Sequence, residues 1–317
     1  MRQFFLFMLL WTSILFGADF ILSKLFDTIY QHVFTGQTGG EINRYLALSA
    51  PPKALVIGNS RARYQVDPDS FALPTYSLCH AGMGQVFQTG LLHVLVKENK
   101  IPSIVILHVD LEEYVGGDDL EDIGNLRYYY KKDNYITENI DDISRFEKLK
   151  YLFKFYRYNG RIISTLKNYT QSRGRLTQTN GYQALDPIPN DSTTFVQRPT
   201  VNNAPIPHFH YQNLRHLQNF IKECKNSKIK LICFTSPYFS IRPFSIIAAP
   251  PIDSLLRAQN VPYFNAAEHP LPVLGHHARF WQDNDHLNKL GAGYLSQQLA
   301  KWSKPYLLAD SVKENNY

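Results

Sequence analysis

Two short stretches, more than two hundred residues apart, carry residue types able to do acyl chemistry. The first, Val56-Ile57-Gly58-Asn59-Ser60-Arg61, puts a serine just after an apolar β-type run, at a Gly-Asn turn. The second, Phe280-Trp281-Gln282-Asp283-Asn284-Asp285-His286-Leu287-Asn288, puts an aspartate and a histidine three residues apart, just before a helical segment. A serine hydroxyl is a poor nucleophile unless an imidazole takes its proton. The imidazole works best when a carboxylate fixes its tautomer and supports its positive charge. Together the stretches supply Ser60, Asp283 and His286, in that order. Taken singly, each has a plainer explanation: Ser60 as a helix N-cap, His286 as a surface or capping residue. Asp285 is an alternative carboxylate, but it adjoins His286, so its side chain would ordinarily point elsewhere.

These residues need elements to position them. Ala54–Ile57, Thr75–Leu78, Ile104–Val109, Ile229–Phe234 and Val261–Phe264 read as strands. The Ile104–Val109 and Ile229–Phe234 runs are continuously apolar, as strands buried on both faces should be. Gly84–Glu98, Tyr211–Cys224, Pro251–Gln259 and Asn288–Ser303 carry apolar residues at helical spacing. Strands alternating with helices predict an α/β fold, a three-layer α/β/α sandwich on a parallel sheet. Its ligand site should lie at the carboxyl ends of the strands. Ser60, Gly82, Asp110 and Ser236 all fall just past predicted strand ends.

Phe4 to Leu22 is almost wholly apolar, long enough to cross a bilayer at ~1.5 Å per residue. Arg2 precedes it, and the charge bias favours a cytoplasmic N-terminus with the rest of the chain outside the inner membrane. Asp19 is costly at bilayer depth and is expected to reach toward the outer headgroups. An uncleaved anchor over 1–25 is the favoured reading, with a cleaved signal peptide ending near Gly17-Ala18 as its rival. A linker over 26–50, containing a Gly-rich break, then leads to a domain over 51–310. Within it, 111–207 is a long non-alternating insert, read as a cap over the acceptor site, with simple elaboration as the rival.

The net charge of +6 is modest, and the densest basic cluster lies at 145–175. No nucleic-acid module accompanies it, so no nucleic acid is expected as a partner. Anionic lipid headgroups or an acidic polymer suit it better, and a plain solvated face better still. The 20 Tyr and 20 Phe could stack on sugars but chiefly suit packing. The three cysteines, Cys79, Cys224 and Cys233, have no metal or disulfide spacing. His80 and His108 flank the proposed site as packing or hydrogen-bonding residues. His208, His210, His276 and His277 form no ligand motif, so neither a metal nor a cofactor is expected.

Gly-Asn-Ser-Arg after the first strand, with Phe-x-x-Asp-x-x-His-Leu-Asn-x-x-Gly near the C-terminus, resembles the SGNH (GDSL-like) hydrolase superfamily. The likeness is greatest to its membrane-anchored, extracytoplasmic branch, which includes D-alanine transfer proteins and polysaccharide O-acetyltransferases. The resemblance covers roughly 50–305, outside the insert, and implies a flavodoxin-like sheet. It makes Ser60 the nucleophile, His286 the general base and Asp283 its orienting acid. Tyr76 to Gly82 then corresponds to the family's second block. This implies an oxyanion hole from the Ser60 and Gly82 backbone N–H groups, with Gly84 as the fallback. The third block departs from the pattern. Where most members have Gly-x-Asn-Asp, this chain has Leu107-His108-Val109-Asp110, and an ionised Asp110 cannot donate to an oxyanion.

The leading expectation is therefore an anchored, extracytoplasmic serine acyl-ester enzyme. It would be an O-acyltransferase or esterase acting on an acylated or acceptor glycan of the cell envelope. The resemblance implies a membrane-embedded acyltransferase partner as the acyl donor. The alternative is a catalytically degenerate binding or assembly protein on the same fold.

Overall fold

Strands form where apolar runs are too short for a helix and meet other such runs on both faces. The computed structural model describes residues 1–37, 39–115, 119–172, 179–187, 208–239, 243–269, 271–275 and 277–308. Residues 173–178 and 188–207 of the expected insert lie outside these residues, as does His276. In chain order the helices are α1 (Arg2–Gln31), α2 (Gly39–Leu46), α3 (Ser60–Gln65), α4 (Gln85–Lys97), α5 (Asn134–Ile143), α6 (Glu147–Lys150), α7 (Ile162–Ser172), α8 (Tyr211–Asn226), α9 (Pro243–Ala258) and α10 (Lys289–Leu308). The strands are β1 (Ala54–Ile57), β2 (Thr75–Ser77), β3 (Ile104–His108), β4 (Lys230–Thr235) and β5 (Tyr263–Asn265).

The chain forms two compact units, one of Met1–Leu48 with Ile123–Thr177, the other of Ser49–Asp122 with Gln178–Tyr317. The second unit holds the sheet. Its order is β2-β1-β3-β4-β5, all parallel. This is the flavodoxin-like order, so the expected α/β fold is what the chain adopts. Right-handed crossovers put α3, which links β1 to β2, on one face, and the later connections on the other. Accordingly α4 packs on α8, and α3 packs on α10. Val56, Ile106, Ile232 and Phe234 join Ala62, Leu299 and Leu307 in one core cluster on the α3–α10 side. Burying each such side chain contributes about 1.5–3 kcal/mol.

Helix α9 begins eight residues before the expected start at Pro251 and runs through Pro250 and Pro251. The prolines remove donors from its hydrogen-bond ladder. Even so, Ala248, Ala249, Ile252 and Leu256 are fully buried along one stripe that crosses them. Burial of that stripe outweighs the missing bonds.

The first unit is helical. Helix α1 is 30 residues long and is long and apolar enough to cross a membrane by length and composition. Its side chains up to Leu25 are exposed except Asp19 and Ser23. The Asp19 carboxylate does not reach outward as expected. It accepts the backbone N–H groups of Lys154 and Phe155, both at 2.8 Å. A carboxylate within an apolar stretch is tolerated when two amide donors satisfy it.

Candidate active site

Strand β1 ends at Ile57, and the chain turns at Gly58 into α3, whose first residue is Ser60. The turn must hug β3: a side chain at Gly58 would lie 2.6 Å from the His108 Cβ and 2.7 Å from the Ala62 Cβ. Asn59 caps α3, its side-chain oxygen accepting the Arg61 N–H at 3.0 Å. The Ser60 hydroxyl is thereby held at the carboxyl edge of the sheet, at a helix start where the peptide dipoles favour negative charge.

The partner loop follows β5. Trp281 and Leu287 form an antiparallel bridge. Both are buried in a cluster with Ala266, Leu274 and Leu295. The Gln282 N–H closes the turn on the His286 carbonyl at 2.8 Å. Asn288 starts α10 by accepting the Leu290 N–H at 3.0 Å and ties back to the Arg279 carbonyl at 2.8 Å. Between these anchors, Asp283 Oδ1 accepts the N–H groups of Asp285 and His286, both at 2.8 Å.

The result is a continuous hydrogen-bonded chain. The Ser60 hydroxyl lies 2.9 Å from His286 Nε2. His286 Nδ1 lies 2.9 Å and 3.0 Å from the two Asp283 oxygens. The three expected residues thus meet, although 226 positions separate Ser60 from His286. Asp283 is the carboxylate on the imidazole. Asp285 instead gives its backbone carbonyl to the Gln65 side chain at 2.8 Å. Burial raises the pKa of Asp283, but the bonds from His286 and the backbone outweigh it and hold the carboxyl below its ordinary range. The Tyr64 ring sits edge-on to the imidazole, 5.8 Å between centres.

Beside Ser60 lies a cavity of about 310 Å³ whose lining includes Gly82, Met83, Gly84 and Asp110. Gly82 has φ +72°, a left-handed conformation that favours glycine. Among the described residues, the backbone N–H groups of Ser60 and Gly82 donate no hydrogen bond. The fallback donor is already engaged: the Gly84 N–H donates to Asp122 at 2.7 Å.

Asp110, which lines the same cavity as Ser60, is held in a buried polar network. It accepts from Asn59 Nδ2 at 2.7 Å, Arg61 Nη1 at 3.2 Å and the Tyr238 hydroxyl at 2.8 Å. Arg61 also donates to the Ser236 and Pro237 carbonyls, each at 2.7 Å, and its Cζ lies over the Tyr238 ring, 3.7 Å from the ring centre. Burial alone would raise Asp110, yet Arg61 and the bonds from Asn59 and Tyr238 hold it far below the usual carboxylate range. Burial, with Asp110 and Asp119 nearby, pushes Glu113 well above that range. Burial also lowers His108 to about 3, against the pull of Asp110. It is therefore a neutral core imidazole whose Nε2 accepts the Ser236 N–H at 3.3 Å. His80 is buried against Phe87, with ring centres 5.0 Å apart.

Sequence reasoning missed this network. Arg61 and Tyr238 are far apart in the chain, and no spacing links them. The only signal was an arginine directly after the serine and an aspartate at a strand end. Glu112, Glu113, Asp119 and Asp122 join Asp110 along the cavity, so its wall is rich in carboxyl groups. Among the described residues no group of three or more His, Cys, Asp or Glu is arranged to hold a metal ion.

No family model matches the chain. No curated relative matches it either. Solved structures similar to it include a presumed acylhydrolase from Bacteroides fragilis, 11% identical, with a TM-score of 0.40 over 86% of this chain and 99% of that one. Another is a presumed platelet activating factor from Streptococcus pneumonia, 11% identical, with a TM-score of 0.31 over 95% of this chain and 98% of that one.

Proposed function

We propose that this chain is a membrane-anchored serine acyl-ester enzyme that works through an acyl-serine, as an esterase or O-acyltransferase on a cell-envelope glycan. The observation that carries the reading is the Ser60–His286–Asp283 hydrogen-bonded chain, with 2.9 Å at the serine and 2.9 Å at the carboxylate. Both fall in the range a nucleophile–base pair needs, ~2.6–3.2 Å.

In the proposed reaction His286 Nε2 takes the Ser60 proton as Oγ attacks the ester carbonyl. The new C–O bond leaves a tetrahedral oxyanion, which accepts the N–H groups of Ser60 and Gly82. Collapse breaks the bond to the leaving alcohol, and His286 returns the proton to it. A second hydroxyl, from water or a sugar, then gives its proton to His286 and attacks the acyl-serine; collapse breaks the acyl–Oγ bond, and His286 returns the proton to Ser60 Oγ. Water gives hydrolysis and a sugar gives transfer. Asp283 stays ionised and supports the transient imidazolium.

Two features favour a slow, selective enzyme over a generic esterase. With Asp110 held in its network, the proposed oxyanion hole has two backbone donors and no side-chain donor. One missing donor costs roughly 10²–10³ in rate. The carboxyl-rich wall also disfavours anionic groups near the scissile bond. Membrane anchoring through α1 would keep the site near envelope substrates, and a membrane-embedded acyltransferase would supply the acyl group.

The test is covalent labelling. The full chain in detergent would be treated with a fluorophosphonate, digested and mapped by mass spectrometry. Labelling confined to Ser60, and abolished in Ser60→Ala, is expected. An unlabelled Ser60 in folded protein would sink the acyl-enzyme reading and favour a non-catalytic binding protein. Where Ser60 labels, release of acetate from acetylated glycan, set against acetylation of bare glycan, separates esterase from transferase.

A further inference from the structure

The segment from Arg145 to Lys167 belongs to the same unit as α1, and its surface is unlike that of a water-soluble helix pair. Six large apolar side chains on it stand exposed: Phe146, Leu149, Leu152, Phe153, Ile163 and Leu166, with Ile163 at 83%. Soluble surfaces rarely gather so many in one short stretch. The same segment holds seven cations, from Arg145 to Lys167, against one anion, Glu147.

The segment is also fixed at a definite height on α1. Phe153 stacks on Phe16 with ring centres 5.3 Å apart. The backbone of Lys154 and Phe155 holds Asp19, as described above. The Phe155 ring meets Phe26 edge-on at 5.0 Å. These contacts run from the last third of the apolar stretch of α1 to just past its end at Leu22. With 30 residues, α1 is about 45 Å long, more than a hydrocarbon core of ~30 Å needs. Its last turns therefore extend past the membrane, and the Phe16–Phe26 level lies near the boundary. Between α1 and the segment runs an apolar crevice of about 440 Å³, lined by Leu15, Leu22, Phe155 and Ile162 among others.

We propose that residues 145–167 lie in the lipid leaflet that α1 enters at its carboxyl end, as an in-plane collar that binds anionic lipid. Phe146, Leu149, Leu152, Ile163 and Leu166 sit among the upper acyl chains. Arg145, Lys154 and Lys167 are exposed and make no ion pair among the described residues. They meet lipid phosphates, to which cations near an anionic surface are drawn. Apolar burial combined with basic residues is the physical recipe for interfacial binding. The collar would give the unit a second membrane contact and fix its tilt and rotation on α1. The inference rests on α1 spanning the membrane, and the test separates the two.

Cysteines would be added one at a time to the full chain, whose own Cys79, Cys224 and Cys233 are buried, by Leu9→Cys, Leu149→Cys, Ile163→Cys and Asn226→Cys, then labelled with a small fluorophore. All four positions are exposed, so folding should survive. The labelled chains go into bilayer discs of phosphatidylcholine and phosphatidylglycerol. Quenching by spin-labelled lipid is compared with quenching by aqueous iodide. Labels at 149 and 163 should respond to the lipid quencher and resist iodide, as the label at 9 does, while 226 does the reverse. If 149 and 163 behave like 226 while 9 stays lipid-facing, the collar is wrong and the anchor stands. If 9 is also iodide-accessible, the anchor fails with it. Separately, Arg145→Glu with Lys167→Glu should lower the phosphatidylglycerol that co-purifies with the chain. An unchanged lipid ratio would overturn the headgroup assignment.

Discussion

At the residue level, the roles of Asp283 and Gly82 can be separated by rate. In the proposed mechanism Asp283 holds the His286 tautomer from Nδ1, so Asp283→Asn should keep the fold and lower kcat by about 10⁴-fold. Asp285→Asn, which leaves the Nδ1 contact intact, should change kcat far less. Steady-state kinetics on an activated acyl ester would check both. Equal losses would show that Asp283 is not the orienting carboxylate. Gly82 stands at φ +72°. An alanine there costs roughly 1–2 kcal/mol of backbone strain. The peptide would relax away, turning the Gly82 N–H from the oxyanion. Gly82→Ala should then cut kcat by about 10²–10³ with KM little changed. A larger rise in KM than fall in kcat would instead assign Gly82 to substrate binding.

At the scale of elements, α3 and the loop after β3 are locked together by one buried ion pair. Arg61 and Asp110 lie 3.2 Å apart with side chains only 4% and 7% exposed. Removing Arg61 leaves the Asp110 charge buried and unpaired. Arg61→Ala should therefore destabilise the sheet-bearing unit by about 3–5 kcal/mol. Adding Asp110→Ala should recover part of that loss, because no orphan charge then remains. Denaturant midpoints of the full chain in detergent would measure both. If the double variant is no more stable than the single, the pair is not the cause. The two loops that carry Ser60 and His286 were legible because each is bounded by strong local signals. An apolar run precedes Gly58-Asn59, and a helical pattern follows His286-Leu287-Asn288. Helix α9 was only half legible: Pro250-Pro251 reads as a helix start. Only tertiary burial of Ala248 and Ile252 shows that the helix continues across it.

For the whole molecule, acid stability should follow His108. Its folded value lies near 3, while an unfolded histidine titrates near 6.5. Between those pH values the unfolded chain binds a proton that the folded chain refuses. Stability should thus fall as pH drops from about 6.5 to 3, by up to ~1.4 kcal/mol per pH unit, and level off below. Asp110, held far below the usual range, adds stability that is present above its unfolded value, about 3.9, and is lost as pH falls below it. His108→Gln, which keeps an acceptor for the Ser236 N–H, should flatten the upper part of this profile. Thermal midpoints from pH 7 to 4 would test it, and an unchanged slope would reassign the acid sensitivity to other groups. By itself the sequence determined the α/β class, the apolar N-terminal helix and the three residues of the hydrogen-bonded chain, because each follows from local period or motif. The tertiary structure alone decided where Asp110, Asp19 and Gly84 point. Their partners, Arg61, the Lys154–Phe155 backbone and Asp122, are chosen by packing across the fold, and nothing in local sequence encodes that choice.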